Sequence, residues 1–151
     1  MRFTFPYETL LRMKKNLEEL SQMRLASKMN RLKEEEEEIR RVIEEILSHG
    51  QALREKMEQG LEASEYMVYK VYEEECYLTL RLKEEAKKET IKEIEAEQQT
   101  LIKLMRERKM FERLKEKQWK TFQYEMEKLD QKNNDEMVIT RYRSSPKLSL
   151  S

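Results

Sequence analysis

The sequence predicts an all-α protein in which two long helices form an antiparallel coiled-coil hairpin. Three observations carry this. Charged residues make up 41% of the 151-residue chain and hydrophobic ones only 38%, too few to fill the interior of a compact globule of this length. Net charge is zero and the apolar residues are periodic, so the composition fits a narrow seam between helices better than disorder. Finally, Gly50, Gly60, Pro6 and Pro146 are the only glycines and prolines, too few breakers for the turns of a β fold.

The elements follow in order. Thr4 is placed to cap a first helix with Pro6 in its first turn, where proline is tolerated. Leu10, Met13, Leu17 and Leu20 recur at spacings of three and four. A second run, Leu25, Met29, Leu32, Ile39, Ile43, Ile46, Leu53 and Met57, keeps the rhythm in a shifted phase, which implies a heptad skip between Leu20 and Leu25. Glu36 and Gly50 fall on that second seam and weaken it. Gly60 reads as a helix stop and Ser64 as the next cap. The single domain, 1–143, therefore comprises helix 1 over about 6–58, a turn over about 59–64 and helix 2 over about 65–140. Residues 144–151 have no helical pattern and read as a flexible tail. Folding at residues 61–62 sets residue i opposite about residue 123 − i, so Leu10 faces the neighbourhood of Phe111–Arg113. Helix 1 then ends near Lys117, leaving Trp119, Phe122, Met126, Leu129 and Met137 as a stripe without an intramolecular partner.

Catalysis finds no foothold. His49 is the only histidine and Cys76 the only cysteine, so no zinc set, disulfide or nucleophile–histidine pair assembles, and no cofactor is expected. The glycines do not cluster into a phosphate-binding loop. Glu34–Glu38 spread around a helix instead of converging on a cation, and His49 reads as a solvent-exposed helix residue. No secretory signal and no apolar run of transmembrane length is evident, and a lone cysteine fits a reducing, cytoplasmic setting.

Two stretches point to partners. In 103–128, nine Lys/Arg face five Glu, and RERKMFERLKEK (106–117) interleaves its cations with Phe111 and Leu114. Ordinary intrahelical pairing, Glu112 with Lys115 and Glu116 with Lys120, is the plain alternative. In 66–82, Tyr66, Tyr69, Tyr72, Cys76 and Leu78 exceed what a two-helix seam can bury, and Val42 lies beside the Ile43/Ile46 seam, so part of this surplus faces outward. The basic stretch suits an acidic, apolar-lined protein socket. A chain that merely dimerises through its overhang, or a basic nucleic-acid-binding helix, remains open at this point.

The chain also resembles the flagellar export protein FliJ family. The resemblance rests on Phe3-Thr4-Phe5 with Leu10 and Leu11, on Gly60 followed by Tyr66, Tyr69 and Tyr72, on Arg106–Lys117, and on Gln131-Lys132-Asn133-Asn134-Asp135-Glu136. It implies a non-enzymatic stalk and adaptor of flagellar type III export, a monomer in isolation, peripheral on the cytoplasmic face of the inner membrane. The terminal end would enter a hexameric flagellar export ATPase through Phe3, Phe5, Leu10, Arg106, Arg108, Lys109, Phe111, Leu114, Lys115 and Trp119. A membrane export-gate protein would contact Glu38, Val42, Glu45, His49, Tyr72, Cys76, Thr79 and Lys83. Export chaperones are further partners it implies; nucleic acid is not.

Overall fold

A computed structural model describes residues 1–144 of the chain. Two helices account for nearly all of it, α1 (Glu8–Gln59) and α2 (Ala63–Ser144). Pro6 and Tyr7 form a turn ahead of α1, in which the Glu8 amide donates to the Phe5 carbonyl at 3.2 Å, so Pro6 precedes the helix instead of opening it. Gly60 stops α1 with φ at 93°, a left-handed conformation that costs glycine little, and its amide donates to Met57 O at 3.3 Å. The Tyr66 amide donates to Glu62 O at 3.0 Å, so Glu62, not Ser64, occupies the cap position of α2. That helix continues to Ser144; the tail expected beyond it lies outside the described residues. No described helix is long and apolar enough to cross a membrane.

The chain divides into two compact units. A turn unit spans Asn16–Leu104, and a terminal unit joins Met1–Lys15 to the chain from Met105 onward. In each, α1 and α2 pair antiparallel, and contacts such as Arg31 with Glu93 and Glu8 with Lys115 keep to the expected register of i opposite about 123 − i.

The seam itself differs from the sequence reading. Along α1 the inward positions are Leu11, Lys14, Glu18, Ser21, Leu25, Lys28, Leu32, Glu35, Ile39, Val42, Ile46, His49 and Leu53, an unbroken alternation of three and four with no skip. Leu10, Met13, Leu17, Leu20, Met29, Ile43 and Met57 are exposed instead. Glu36 and Gly50 leave the seam line; Glu36 pairs with Lys87 at 3.7 Å. Val42, read as lying beside the seam, is buried in it, and so is Cys76.

The turn unit compensates its polar seam positions by pairing them. The Ser21 hydroxyl, 2% exposed, donates to Glu97 Oε1 at 2.8 Å, and Lys28 reaches Glu97 Oε2 at 3.3 Å. The Ser21 hydrogen bond, with Lys28 behind it, holds the Glu97 carboxyl below its ordinary value of 4.5 against the opposing pull of burial. One seam step on, the Thr90 hydroxyl donates to Glu35 Oε1 at 2.6 Å, leaving Glu35 Oε2 buried without a partner. Buried polar groups are tolerated when hydrogen-bonded, and such pairs fix register at some cost in stability.

Candidate functional site

The terminal unit is built on aromatics. Residues three and four apart share a helix face, so α2 brings Phe111, Gln118 and Phe122 inward. The segment ahead of α1 lies against them. Phe3 meets Trp119 edge-on at 5.1 Å between centroids and Phe122 at 5.4 Å, while Trp119 and Phe122 stack at 5.8 Å. Phe5 is buried and touches Tyr7, which in turn reaches Phe111. Trp119 and Phe122, expected to lack a partner, therefore have one in Phe3. Unpaired helix begins later: every residue from 127 to 144 is exposed.

The cations of 106–120 divide into two sets. Arg108 and Lys115 are held inside the unit, Arg108 by Glu112 at 2.9 Å and Lys115 by Glu8 at 2.8 Å. The Lys115 hydrogen bond keeps the Glu8 carboxyl below its ordinary value. Glu112 thus pairs with Arg108, and with Lys15 at 3.9 Å, instead of Lys115; the expected Glu116–Lys120 pair does form, at 3.3 Å. Lys14 and Glu107 close another cross-helix pair at 2.6 Å. Arg106, Lys109, Arg113, Lys117 and Lys120 form the second set, all exposed. Their spacing of three, four, four and three puts them on one outward face.

All ten residues expected to face the ATPase lie in the terminal unit, but they do different work. Leu10, Arg106, Lys109 and Trp119 are exposed, Phe3, Phe111 and Leu114 half-buried, and Phe5 buried; Arg108 and Lys115 are engaged internally. Arg113, Lys117 and Lys120, counted in the basic stretch but not among the residues expected to face the ATPase, share the outward face of Arg106 and Lys109; projecting each cation onto a helix face would have grouped them.

In the turn unit the two stripes expected to face the export gate meet one another. Lys83 pairs with Glu38 at 2.8 Å, and its hydrogen bond lowers the Glu38 carboxyl pKa. The Tyr72 hydroxyl donates to Glu45, and that carboxylate pushes the phenol's pKa upward. His49 is not a solvent-exposed bystander. Its ring stacks on Tyr69 at 4.9 Å and tilts against Tyr72 at 4.4 Å. Its Nε2 donates to the Tyr69 carbonyl at 3.0 Å, which fixes the proton on that nitrogen. Val42 and Cys76 are buried beneath, and Glu38, Glu45 and Thr79 stay exposed. A shallow groove beside His49 adds Ser48, Ala52 and Val68, which no sequence signal singled out. Among the described residues no group of three or more His, Cys, Asp or Glu is placed to hold a metal ion.

Comparison with curated proteins and with solved structures finds no match. A protein-family model does match, Flagellar FliJ protein, over residues 3–147. With nearly its whole length matched, the chain belongs to the flagellar FliJ protein family.

Proposed function

We propose that this chain is the stalk and adaptor of the flagellar type III export apparatus, inserting its terminal end into a hexameric export ATPase and linking that ring to the export gate. Family membership makes it a non-catalytic component of flagellar protein export; the ring, the gate and the escorted chaperones are the finer reading. The observation that carries it is the outward stripe Arg106, Lys109, Arg113, Lys117 and Lys120 beside an aromatic end. Only Lys120 of the five is in an ion pair among the described residues. Exposed cations on a stiff helix pair, next to half-exposed Trp119, suit an acidic socket that also offers apolar contact. The chain acts there as one copy, peripheral on the cytoplasmic face of the inner membrane, through contact and leverage. The Glu38–Lys83 and His49–Tyr72 surface of the turn unit faces the gate.

The test is to mix the chain with the cognate ATPase and follow hexamer formation and ATP hydrolysis. Reversing Arg106, Lys109 and Arg113 together is expected to weaken the complex about a hundredfold, near 1 kcal/mol per lost charge pair, with helix content unchanged. If neither hydrolysis nor assembly responds to the chain, or the triple reversal alters nothing, the reading fails.

A further inference from the structure

The outer face of α2 changes character along the turn unit. Met67, Val68, Val71, Leu78 and Leu82 are all more than half exposed. From Val68 they recur, with Glu75, at spacings of three, four, three and four, which keeps them on one face turned away from α1. Carried on at the same spacing, that line reads Glu85, Glu89, Lys92, Ala96, Gln99 and Lys103, all exposed and with nothing apolar larger than alanine. The continuation is an ordinary solvated face. The stretch before it carries an apolar strip about 21 Å long, at ~1.5 Å per residue, which the seam with α1 does not use. A contiguous exposed strip of this kind marks a contact surface.

The charges of the strip decide the occupant. Residues 71–82 hold Glu73, Glu74 and Glu75 against a single cation, Arg81. Glu73 is engaged by Lys70 at 3.1 Å, whereas Glu74, Glu75 and Arg81 are in no ion pair among the described residues. Glu75 lies within the strip and Glu74 along its edge. A second copy, or an anionic lipid surface, would add negative charge to both. A partner that carries Lys or Arg beside its own apolar residues meets them with the opposite sign. A strip of about four turns with a three–four repeat has the shape that another helix packs against.

We propose that the outer face of α2 over 67–82 docks a basic amphipathic helix of another protein, completing a local three-helix bundle. That helix sets its apolar residues on Val71, Leu78 and their neighbours, and its Lys or Arg against Glu74 and Glu75. This goes beyond the stalk reading, because Tyr72, Cys76, Thr79 and Lys83 lie about a quarter turn round the same helix. Val68 and Leu82 mark the border, each also lining a groove beside those stripes.

The experiment uses the full chain without ATPase or gate protein, so its failure leaves the stalk reading standing. Two fluorescent helical peptides of about 18 residues share one leucine stripe; Lys flanks it in the first and Glu in the second. Anisotropy at low salt is expected to show micromolar binding of the Lys peptide and about tenfold weaker binding of the Glu peptide. Hydrogen exchange should place the Lys peptide on 67–82. Leu78→Ser weakens it about tenfold or more, Glu75→Lys reverses the preference between the peptides, and Glu89→Ser, on the solvated continuation, changes neither. Circular dichroism checks that helix content is retained; should Leu78→Ser lose it, Val71→Ser takes its place. A Lys peptide that fails to bind, that protects another segment, or that binds Leu78→Ser as well as wild type overturns the proposal, as does an unchanged preference in Glu75→Lys. Protection of 67–82 that grows with the concentration of the chain itself, or that appears on anionic vesicles, also overturns it, by giving the face to a second copy or to a membrane.

Discussion

The turn unit and the terminal unit use the same antiparallel helix pair and the same register, yet they fill their seams differently. Between Asn16 and Leu104, four of the six seam positions on α1 up to Glu35 are polar; Ser21 is buried in a hydrogen bond to Glu97, and Thr90 in one to Glu35. In the terminal unit Leu11 is 1% exposed and the rings of Phe3, Tyr7, Phe111, Trp119 and Phe122 supply the contacts. The turn unit adds buried polar pairs to an apolar seam of Val42, Leu53, Cys76 and Ile94, whereas the terminal unit closes on Leu11 and its rings. The difference teaches that a charged two-helix protein can settle register in one place and leave contact chemistry to another.

The largest effect that would break this contrast is at Leu11. Leu11→Ala removes the most buried side chain and should cost about 2–4 kcal/mol, read by denaturant unfolding. Hydrogen exchange should show the loss confined to 1–15 and 105–126; equal loss across 16–104 would mean that the units do not differ in this way. Next comes Glu97→Ala, which leaves Ser21 and Lys28 without their acceptor and should cost about 1–3 kcal/mol. Ser21→Ala with Glu97→Leu should recover most of that, because removing both partners of a buried polar pair is often neutral. No recovery would assign the turn unit an apolar dependence like that of its neighbour.

Acid offers a smaller, graded test. The Glu97 carboxyl sits below 4.5 in the folded chain, so its contribution is present above pH 4.5 and is lost as pH falls through the depressed value. The thermal midpoint should fall with acidification in that window, and Glu97→Gln should flatten the dependence. Glu8 in the terminal unit shifts in the same direction, so Glu8→Gln is the matching control. The smallest effect is expected at Lys120→Ala, which removes an exposed pair with Glu116 and should change stability by less than about 0.5 kcal/mol. A larger loss would give the outward stripe a structural role.

Much of this was legible in the sequence. Two helices, the Gly60 stop and the 123 − i register followed from periodicity and one glycine. The seam phase did not. Leu10, Met13, Leu17 and Leu20 form the stronger apolar stripe, yet α1 turns Leu11, Lys14, Glu18 and Ser21 inward. Apolar periodicity identifies a stripe on one helix; which stripe faces the partner depends on cross-helix pairs such as Ser21 with Glu97 and Lys14 with Glu107, which no single-helix pattern contains. The candidate surfaces divided the same way. The basic block of 106–117 was visible, but separating Arg108 and Lys115 from Arg106 and Lys109 required knowing that Glu112 and Glu8 hold the first two.

The left-handed Gly60 at the turn also sets an order of events. Contacts beside it, such as His49 with Tyr69, close loops of some twenty residues, whereas Phe3 meets Trp119 only after more than a hundred residues have been drawn together. Short loops close with less entropy loss and sooner, so the hairpin zips from Gly60 and its aromatic end forms last. Trp119 is the only tryptophan, which makes its fluorescence a clock for that final step. In stopped-flow refolding it should lag behind helix formation, and Gly60→Val should delay both signals together.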